Sequence, residues 1–283
     1  MKPFDDNAEQ YRFWNELAGP LWVANQDEMD RLTGPFGDAA LANAAPRPGE
    51  RVLDVGCGCG STTLALARAV GATGAVLGAD MSAVMLQRAA EQVASADVGN
   101  VMLQQKDAQH DALGTHEFDL VFSRFGVMFF ADPFAAFANL ASALRPAGRV
   151  VFTCWQGPGA NPWMSLPERA AMAYFELEPP APGGPGPFSL ADPDHITSVL
   201  ERAGFRDIAI EPAVRELTLS GAGDLHGWAE HRLVMGSTRK HYLESSPEQQ
   251  LQARSKLIEA VAEHHGPEGL RLPGAAWVVS ALR

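Results

Sequence analysis

Cysteine is scarce in this sequence: Cys57, Cys59 and Cys154 are the three cysteines among 283 residues. Cys57 and Cys59 flank a single glycine, which places them too close together for an unstrained disulfide. A zinc site needs Cys or His ligands at matched spacing, and no second cluster of such residues follows this pair. The sequence therefore predicts neither a disulfide framework nor a metal site. Small side chains in a crowded loop explain the pair, and reduced thiols fit a cytoplasmic protein.

Positive charge is also in short supply. Lys and Arg number 22 against 34 Asp and Glu, which gives a formal net charge of −12. A surface that binds nucleic acid normally carries a basic footprint, and anionic membranes attract basic segments. We therefore expect no nucleic-acid partner and no membrane partner. The composition does not indicate an oligomeric state.

A long hydrophobic run is missing as well. A membrane-spanning helix needs about 18 to 20 consecutive apolar residues, and the longest candidate, residues 120–131, is broken by Arg124. The amino terminus, MKPFDDNAEQYRFWNE, has no apolar signal core. Apolar residues still make up 46% of the chain, which supports a buried core. These features predict a soluble, cytoplasmic protein.

Strand-like and helix-like segments alternate from residue 46 onward. Short β-rich runs occupy residues 51–56, 75–79, 101–105, 118–122 and 149–155, and helical patterns follow the earlier ones. Ser82 and Asp132 stand where they can cap the helices after them, and Asp192-Pro193 restarts a helix. The run 118–122 is apolar almost throughout, as expected of a strand that is buried on both faces. This alternation predicts an α/β fold with a mostly parallel sheet.

One glycine-rich segment, VLDVGCGCGS at residues 52–61, follows the first strand and opens a helix. Gly56 permits a sharp exit from the strand, Gly58 lets a ligand approach the backbone, and Gly60 lets the helix pack near the sheet. Ligands of parallel sheets bind beyond the carboxyl ends of the strands. The segment therefore predicts a nucleotide-binding corner.

Acidic residues close the neighbouring strands. Asp80 can accept hydrogen bonds from two ribose hydroxyls, Asp107 can accept one from an exocyclic adenine amine, and Met81 can lie against an adenine face. Ordinary turn aspartates and a core methionine are the plain alternatives. Asp54 lies inside the first strand, where a buried carboxylate needs partners: the loop amides or a ligand ammonium. Ser123, at the end of the fourth strand, belongs to the same edge.

Four segments, in this order, resemble the class I S-adenosylmethionine-dependent methyltransferases. Residues 52–60 resemble motif I, GADMS (78–82) resembles the acidic segment after it, FDLVFS (118–123) matches the fourth-strand motif, and LRPAGRV (144–150) is similar to the LRPGG segment before strand five. The chain is similar to the small-molecule branch of this class, which includes ubiquinone- and menaquinone-biosynthesis C-methyltransferases. Ala147 departs from the family, which usually carries glycine there, and we expect little consequence.

The resemblance implies S-adenosylmethionine as cofactor and S-adenosylhomocysteine as product. It implies a Rossmann-like, seven-stranded, mostly parallel sheet with helices on both faces and helical lid and cap insertions. The implied cofactor contacts are Asp54, Gly56, Cys57, Gly58, Gly60, Asp80, Met81, Asp107, Ala108 and Ser123. The expected layout is a helical lid (1–45), the cofactor-binding core (46–160), a Pro/Gly-rich insertion that forms a surface loop or lid (161–191), core continuation (192–222), a helical cap (223–272) and a last core strand (273–283). The first segment fits a lid and a plain core-packing helix equally well.

Methyl transfer from a sulfonium is an in-line displacement, so the protein's main task is to align the acceptor and exclude water. The expected acceptor wall follows strands four and five and comprises Arg124, Phe125, Met128, Trp155 and Trp163. Its aromatic content predicts an aromatic or otherwise apolar small molecule. Packing of a lid onto the core explains the same side chains equally well. None of the eight histidines lies in a motif that marks a base, so no catalytic residue is assigned.

Three other functions compete with this interpretation. A nicotinamide-dependent oxidoreductase needs its third glycine three residues after the second, where Ser61 stands. A protein that binds the cofactor without transferring methyl would carry the same motifs. A nucleic-acid methyltransferase is disfavoured by the acidity and by SRFG (123–126) in place of an Asn/Asp-Pro-Pro-aromatic motif.

Overall fold

The computed structural model describes residues 7–175, 184–221, 224–235 and 238–283. The chain divides into two compact units. The first unit comprises Met1–Trp155, Pro185–Ala213 and Ala276–Arg283, and the second comprises Gln156–Gly184 and Val214–Ala275.

The sheet follows the predicted α/β pattern. Its strands are β1 (Arg51–Val55), β2 (Ala75–Asp80), β3 (Val101–Gln105), β4 (Phe118–Arg124), β5 (Leu144–Trp155), β6 (Arg206–Ser220), β7 (His265–Gly266) and β8 (Gly269–Leu282). They lie in the order β3-β2-β1-β4-β5-β8-β6, and β7 pairs with β8. Strands β1 to β5 pair in parallel and β8 runs antiparallel to β5. The predicted seven-stranded, mostly parallel sheet is confirmed, with the two-residue β7 as an addition.

The helices of the described residues are α1 (Ala8–Arg12), α2 (Ala18–Ala24), α3 (Gln26–Ala44), α4 (Ser61–Val70), α5 (Ala83–Ser95), α6 (Pro133–Ala143), α7 (Pro162–Met172), α8 (Pro193–Arg202), α9 (Leu225–Met235), α10 (Arg239–Glu244) and α11 (Pro247–Val261). A π-helical turn, Phe13–Leu17, joins α1 to α2. The two predicted caps are confirmed, because the side chains of Ser82 and Asp132 each accept a backbone N–H in the next turn. Asp192 caps α8 in the same way. Across the described ranges, no helix has both the length and the apolar character that a bilayer span requires.

Burial explains why the middle of the sheet was easy to predict. Leu120, Val121 and Phe122 of β4 are fully buried, as expected of a strand covered on both faces. Leu53 of β1 is fully buried beside them. These apolar residues hold the carboxyl ends of β1 and β4 next to each other, in the register Asp54 to Phe122.

Three boundaries differ from the sequence prediction. The Pro/Gly-rich insertion contains the helix α7, because Pro162 occupies its first turn, where a missing N–H costs little. Residues 178–183 of the proline-rich run 178–187 lie outside the described residues. Strand β5 begins at Leu144 rather than Arg149, because Leu144 already pairs with Phe118 before an irregularity in register. The predicted cap 223–272 ends its helical part at His264, after which β7 and β8 form a hairpin.

Arg149 fixes the end of α3 against the first unit's sheet. Its Nε donates to the carbonyl of Ala44 at 2.8 Å, and both Nη atoms donate to the Glu50 carboxylate at 2.8 Å. Burial favours a high pKa for Glu50, but the hydrogen bonds from Arg149 and Arg47 bring that pKa below its ordinary value. A helix carbonyl that would lack a partner is thereby satisfied, and α3 is fixed in position.

Candidate functional site

The glycine loop makes a backbone-only corner after β1. Gly56, Gly58 and Gly60 have φ angles of 65°, 56° and 90°, which side chains disfavour. The N–H of Gly56 donates to the carbonyl of Ala79 at 2.8 Å. A Cβ on Gly56 would lie 2.7 Å from the Cα of Gly126, in the loop after β4. The two strand exits therefore touch through backbone alone.

Asp80, at the end of β2, binds this loop directly. Its Oδ2 accepts the N–H of Gly58 at 2.8 Å, and its Oδ1 accepts the N–H of Ser82 at 2.8 Å. Burial raises the pKa of Asp80, and these backbone hydrogen bonds oppose the rise. The bond to Gly58 was not predicted from the sequence, and it fixes the carboxylate beside the loop.

Asp54 lies beneath the loop and is completely buried. Its Oδ2 accepts the hydroxyl of Thr63 at 2.6 Å, whereas Oδ1 has no hydrogen-bond partner among the residues that the structure describes. Burial raises the pKa of Asp54 to about 7; the Thr63 hydrogen bond and the charge of Arg124 oppose this rise, and the charge of Asp80 adds to it. A buried carboxylate with an open oxygen is suited to a cationic partner.

Asp107 follows β3 and is buried, at 3% exposure. Its Oδ1 accepts the backbone N–H of Gln109 at 2.9 Å, and its Oδ2 accepts the side-chain amide of Asn7 at 3.3 Å. The neighbouring Ala108 is also buried, and its carbonyl accepts the side chain of Asn139 at 2.9 Å. The contact of Asn7 with Asp107 was not predicted, because no local sequence pattern links two residues that are 100 positions apart.

The remaining predicted cofactor contacts lie around the same edge. Cys57 is buried, and burial together with the charges of Asp80 and Asp54 raises the pKa of its thiol well above the ordinary value, which keeps it neutral. Ser123 is 1% exposed, and its hydroxyl accepts the N–H of Gly126 at 3.2 Å. Met81 is half-buried.

The amino-terminal segment reaches the end of β2, a contact that sequence reasoning also missed. The hydroxyl of Ser82 donates to the carbonyl of Trp14 at 2.8 Å. The side chain of Asn15 donates to the carbonyl of Met81 at 3.2 Å and accepts the N–H of Ala83 at 2.9 Å. The π-helical turn, which holds Trp14 and Asn15, therefore lies against the loop that follows Asp80.

Arg124, the last residue of β4, forms an ion pair with Asp30 of α3, Nη2 to Oδ1, at 2.7 Å. The other Asp30 oxygen accepts the hydroxyl of Ser61 at 2.6 Å and the amide of Gln26 at 3.2 Å. Burial favours a higher pKa for Asp30, but the charge of Arg124 and the Ser61 hydrogen bond bring that pKa below its ordinary value. This network joins α3, the start of α4 and the end of β4. Asp30 carried no signal in the sequence.

The aromatic residues predicted as an acceptor wall pack on one another. The rings of Phe125 and Trp155 stack with centroids 3.9 Å apart, and Phe36 of α3 meets both rings edge-on. Met128 is 1% exposed, and its sulfur accepts the backbone N–H of Trp155 at 3.3 Å. Phe125 has a φ of 60°, an unusual conformation for a bulky residue. The structure therefore brings four of the five predicted wall residues together within the first unit.

Trp163 belongs to the second unit, on α7. It is buried, its indole N–H donates to Oδ1 of Asn161 at 3.3 Å, and the guanidinium of Arg232 lies 5.1 Å from its ring centre. Asn161 also bonds the carbonyl and the N–H of Ala275. Trp163 is therefore a well-packed residue of its own unit.

Comparison with known proteins agrees with this arrangement. Residues 52–148 match the family described as a methyltransferase domain. Nocamycin O-methyltransferase from Saccharothrix syringae is 28% identical, with 95% of this chain and 97% of the relative covered. Demethylmenaquinone methyltransferase from Staphylococcus aureus (strain JH9) is 30% identical, with 58% of this chain and 71% of the relative covered.

Among solved structures, the YcgJ protein from Bacillus subtilis aligns with a TM-score of 0.59 at 17% identity, over 88% of this chain and 98% of that one. This likeness shows a shared fold. Taken with the sequence matches, the glycine loop and the parallel strand order, it leads to one assignment: this chain belongs to the class I S-adenosylmethionine-dependent methyltransferases.

Proposed function

We propose that this enzyme transfers the methyl group of S-adenosylmethionine to a small-molecule acceptor, with the cofactor at the ends of β1, β2 and β3. The observation that carries the proposal is a set of three carboxylates associated with three adjacent strands: Asp54 lies in β1, Asp80 ends β2 and bonds the glycine loop, and Asp107 follows β3. When bound, S-adenosylmethionine supplies an electrophilic methyl group on sulfur. The protein's residues then have to bind the cofactor and the acceptor, orient them toward each other and exclude water.

The residues fit this cofactor. Asp54 offers a buried oxygen that, among the described residues, has no hydrogen-bond partner and suits the ammonium of an amino acid. Glycines at 56, 58 and 60 keep side chains out of the loop where a nucleoside must approach. The acidic surroundings also suit a ligand whose net charge is positive.

Asp80 retains the capacity that a sugar diol needs. Each oxygen of a carboxylate has two lone-pair directions, and each Asp80 oxygen uses one for a backbone N–H. One direction per oxygen is left for a ribose hydroxyl. The hydrogen bonds to Gly58 and Ser82 hold the carboxylate in place before the ligand arrives, which lowers the entropy cost of binding.

Asp107 is assigned to the exocyclic amine of adenine, with Ala108 at the ring edge. The side-chain amide of Asn7 already donates to Oδ2 of Asp107, which supports this oxygen as an acceptor for a planar amine. Met81 is assigned to the adenine face. Gly56, Cys57, Gly58, Gly60 and Ser123 are assigned the remaining contacts.

The acceptor is proposed to be an aromatic or otherwise apolar molecule bound near Arg124, Phe125, Met128 and Trp155 of the first unit. The concentration of large apolar side chains after β4 and β5 supports it, because such surfaces favour apolar ligands. The similar proteins named above act on nocamycin and on demethylmenaquinone, both small organic molecules. Alignment of the acceptor can supply roughly 7–11 kcal/mol of barrier reduction, so no catalytic base is assigned.

The net charge of −12 supports an acceptor other than nucleic acid. Three buried cysteine thiols support a reducing, cytoplasmic location.

The experiment is a pair of titrations followed by a transfer assay. Calorimetry should detect binding of S-adenosylhomocysteine and no binding of NADH. Incubation with methyl-labelled S-adenosylmethionine and a panel of phenols, quinols and aromatic acids should then label at least one compound. Binding of NADH alone would overturn the assignment to this cofactor. Cofactor binding without transfer to any organic acceptor, including those in a cell extract, would point to a non-methylating protein.

A further inference from the structure

We propose that Arg124 holds the carboxylate of the cofactor's amino-acid end and that Asp30 positions it for this contact. The inference rests on the proposed function and assigns Arg124 a role toward the cofactor rather than the acceptor.

The sheet order assigns the two ends of the cofactor to different strands. Adenine is assigned to Asp107 after β3 and ribose to Asp80 after β2, so the amino-acid end belongs with β1 and β4, the next strands in the order. A free amino acid carries an ammonium and a carboxylate on one carbon. Its complement is an anionic group and a cationic group side by side.

Asp54 and Arg124 form such a pair. Asp54 is on β1, directly opposite Phe122 of β4, and Arg124 ends the same strand two residues later. Burial raises the pKa of Asp54 and that of Cys59 in the glycine loop, and the charge of Arg124 opposes both rises, so the guanidinium lies within electrostatic reach of both groups. The open Oδ1 of Asp54 suits the ammonium, and Arg124 suits the carboxylate.

Asp30 sets the direction of the Arg124 side chain. The stem of Arg124 passes α3 at Gly37, where a Cβ would lie 2.7 Å from its Cδ. Asp30 lies two turns earlier on the same helix, and its Oδ1 accepts a hydrogen bond from Nη2 of Arg124 at 2.7 Å. Nε and Nη1 have no protein acceptor within the described ranges. Because Ser61 binds the other oxygen of Asp30, the carboxylate is itself held beside the glycine loop.

The alternative occupant is an anionic acceptor molecule. An acceptor anion would gain from Arg124 alone and would face Asp54 and Asp80 as like charges. A zwitterionic amino-acid end gains from both Asp54 and Arg124. The charge pattern therefore favours the cofactor.

The experiment compares two ligands that differ by the amino-acid end. Calorimetry would measure S-adenosylhomocysteine and 5′-methylthioadenosine, which lacks both the ammonium and the carboxylate. Arg124→Met should weaken the affinity for S-adenosylhomocysteine about 10- to 100-fold, which is the loss expected when a charge-assisted hydrogen-bonded pair is removed. The affinity for 5′-methylthioadenosine should stay within twofold. Asp30→Asn should show the same selectivity with a smaller loss, about 3- to 10-fold. Arg124→Lys should give an intermediate loss, because it keeps the charge and loses the planar fork.

Arg145→Met is the matched control, since Arg145 pairs with Asp119 at the opposite end of β4; it should alter neither ligand. Unchanged binding of 5′-methylthioadenosine reports that each variant is folded. Equal losses for both ligands, or normal S-adenosylhomocysteine binding with a raised KM for the acceptor, would overturn the inference. Failure of the unaltered protein to bind S-adenosylhomocysteine would instead refute the proposed function.

Discussion

The carboxyl ends of β1, β2 and β3 differ in construction from those of β4 and β5. In the first region the contacts are made by backbone and short polar groups, such as the N–H of Gly58 on Asp80 and the hydroxyl of Thr63 on Asp54. In the second region large rings dominate, with Phe125 stacked on Trp155 at 3.9 Å. Backbone contacts hold one ligand shape, whereas side-chain walls can change without refolding the loop. This contrast suits a common cofactor and a variable acceptor.

The two regions also differ in where their partners come from. Asp80 bonds Gly58 and Ser82, which lie within 22 positions of it. Arg124 finds its partner Asp30 94 positions away. The contacts of Asp80 are therefore specified locally, although Asn7 reaches Asp107 from 100 positions away. The ion pair of Arg124 depends on how α3 packs.

The largest expected effect tests the packing of the second region. Phe125→Ala should lower the free energy of unfolding by about 3–5 kcal/mol, because a buried ring at 6% exposure is removed from a stack. Urea denaturation followed by circular dichroism would measure it. Phe13→Ala is the control: this ring is 39% exposed and should cost less than about 1 kcal/mol. Equal losses would mean that aromatic packing does not hold this region.

The next effect tests the first region. Asp80→Asn should weaken S-adenosylhomocysteine at least about 100-fold, because the amide cannot replace a charged acceptor of four hydrogen bonds. Calorimetry would measure the affinity. Asp119→Asn is a matched control on β4, where the carboxylate binds Arg145 and the N–H of Arg51; it should leave the affinity unchanged. Full affinity for S-adenosylhomocysteine in Asp80→Asn would contradict the assignment of the first region to cofactor binding.

A pH dependence follows from Asp54, whose pKa burial raises to about 7 in the protein without ligand. A ligand ammonium favours the ionised carboxylate, so the affinity for S-adenosylhomocysteine should fall as the pH drops below 7. The slope should be at most about tenfold per pH unit, and the affinity should level off above pH 8. Calorimetry between pH 5.5 and 8.5 would measure it.

Asp54→Asn supplies the control for this profile. The variant should bind more weakly and lose most of the slope. The contribution of Asp54 to the free energy of unfolding without ligand should instead grow as the pH falls, whereas the affinity for the ligand weakens. A folded pKa above the unfolded value favours folding at low pH, and Asp54's contribution is lost as the pH rises from about 4 to 7. A flat binding profile in the unaltered protein would contradict the assigned ammonium contact.

Much of the fold and of the first region could be predicted from the sequence, for a physical reason. A sharp strand exit needs glycine, a helix start needs a cap such as Ser82, and a buried strand needs an apolar run such as residues 118–122. Each requirement marks the sequence locally. The strands β1 to β4 and the caps Ser82 and Asp132 were predicted for this reason.

The rest could not be predicted, because it depends on contacts between distant residues. Nothing near Asp30 in the sequence marks it as the partner of Arg124, and nothing near Asn7 marks Asp107. The helix α7 was missed because prolines were taken as loop signals, although Pro162 is tolerated in a first turn. Long-range ion pairs and packing leave no local pattern.

The smallest expected effect lies outside both regions, at Ala147. This residue has a φ of 62°, in the left-handed region, at the position where the family usually carries glycine. This conformation gives a way to test the expectation of little consequence: Ala147→Gly should stabilise the protein by about 0.5–1 kcal/mol, because relief of the strained backbone outweighs the entropy of an added glycine. Ala138→Gly, at an exposed position inside α6, should destabilise it by about 1 kcal/mol. Because Ala147 stands near the start of β5, at the end of the sheet opposite the glycine loop, S-adenosylhomocysteine should bind both variants equally. A changed affinity in Ala147→Gly would show that backbone strain at this turn reaches the cofactor region.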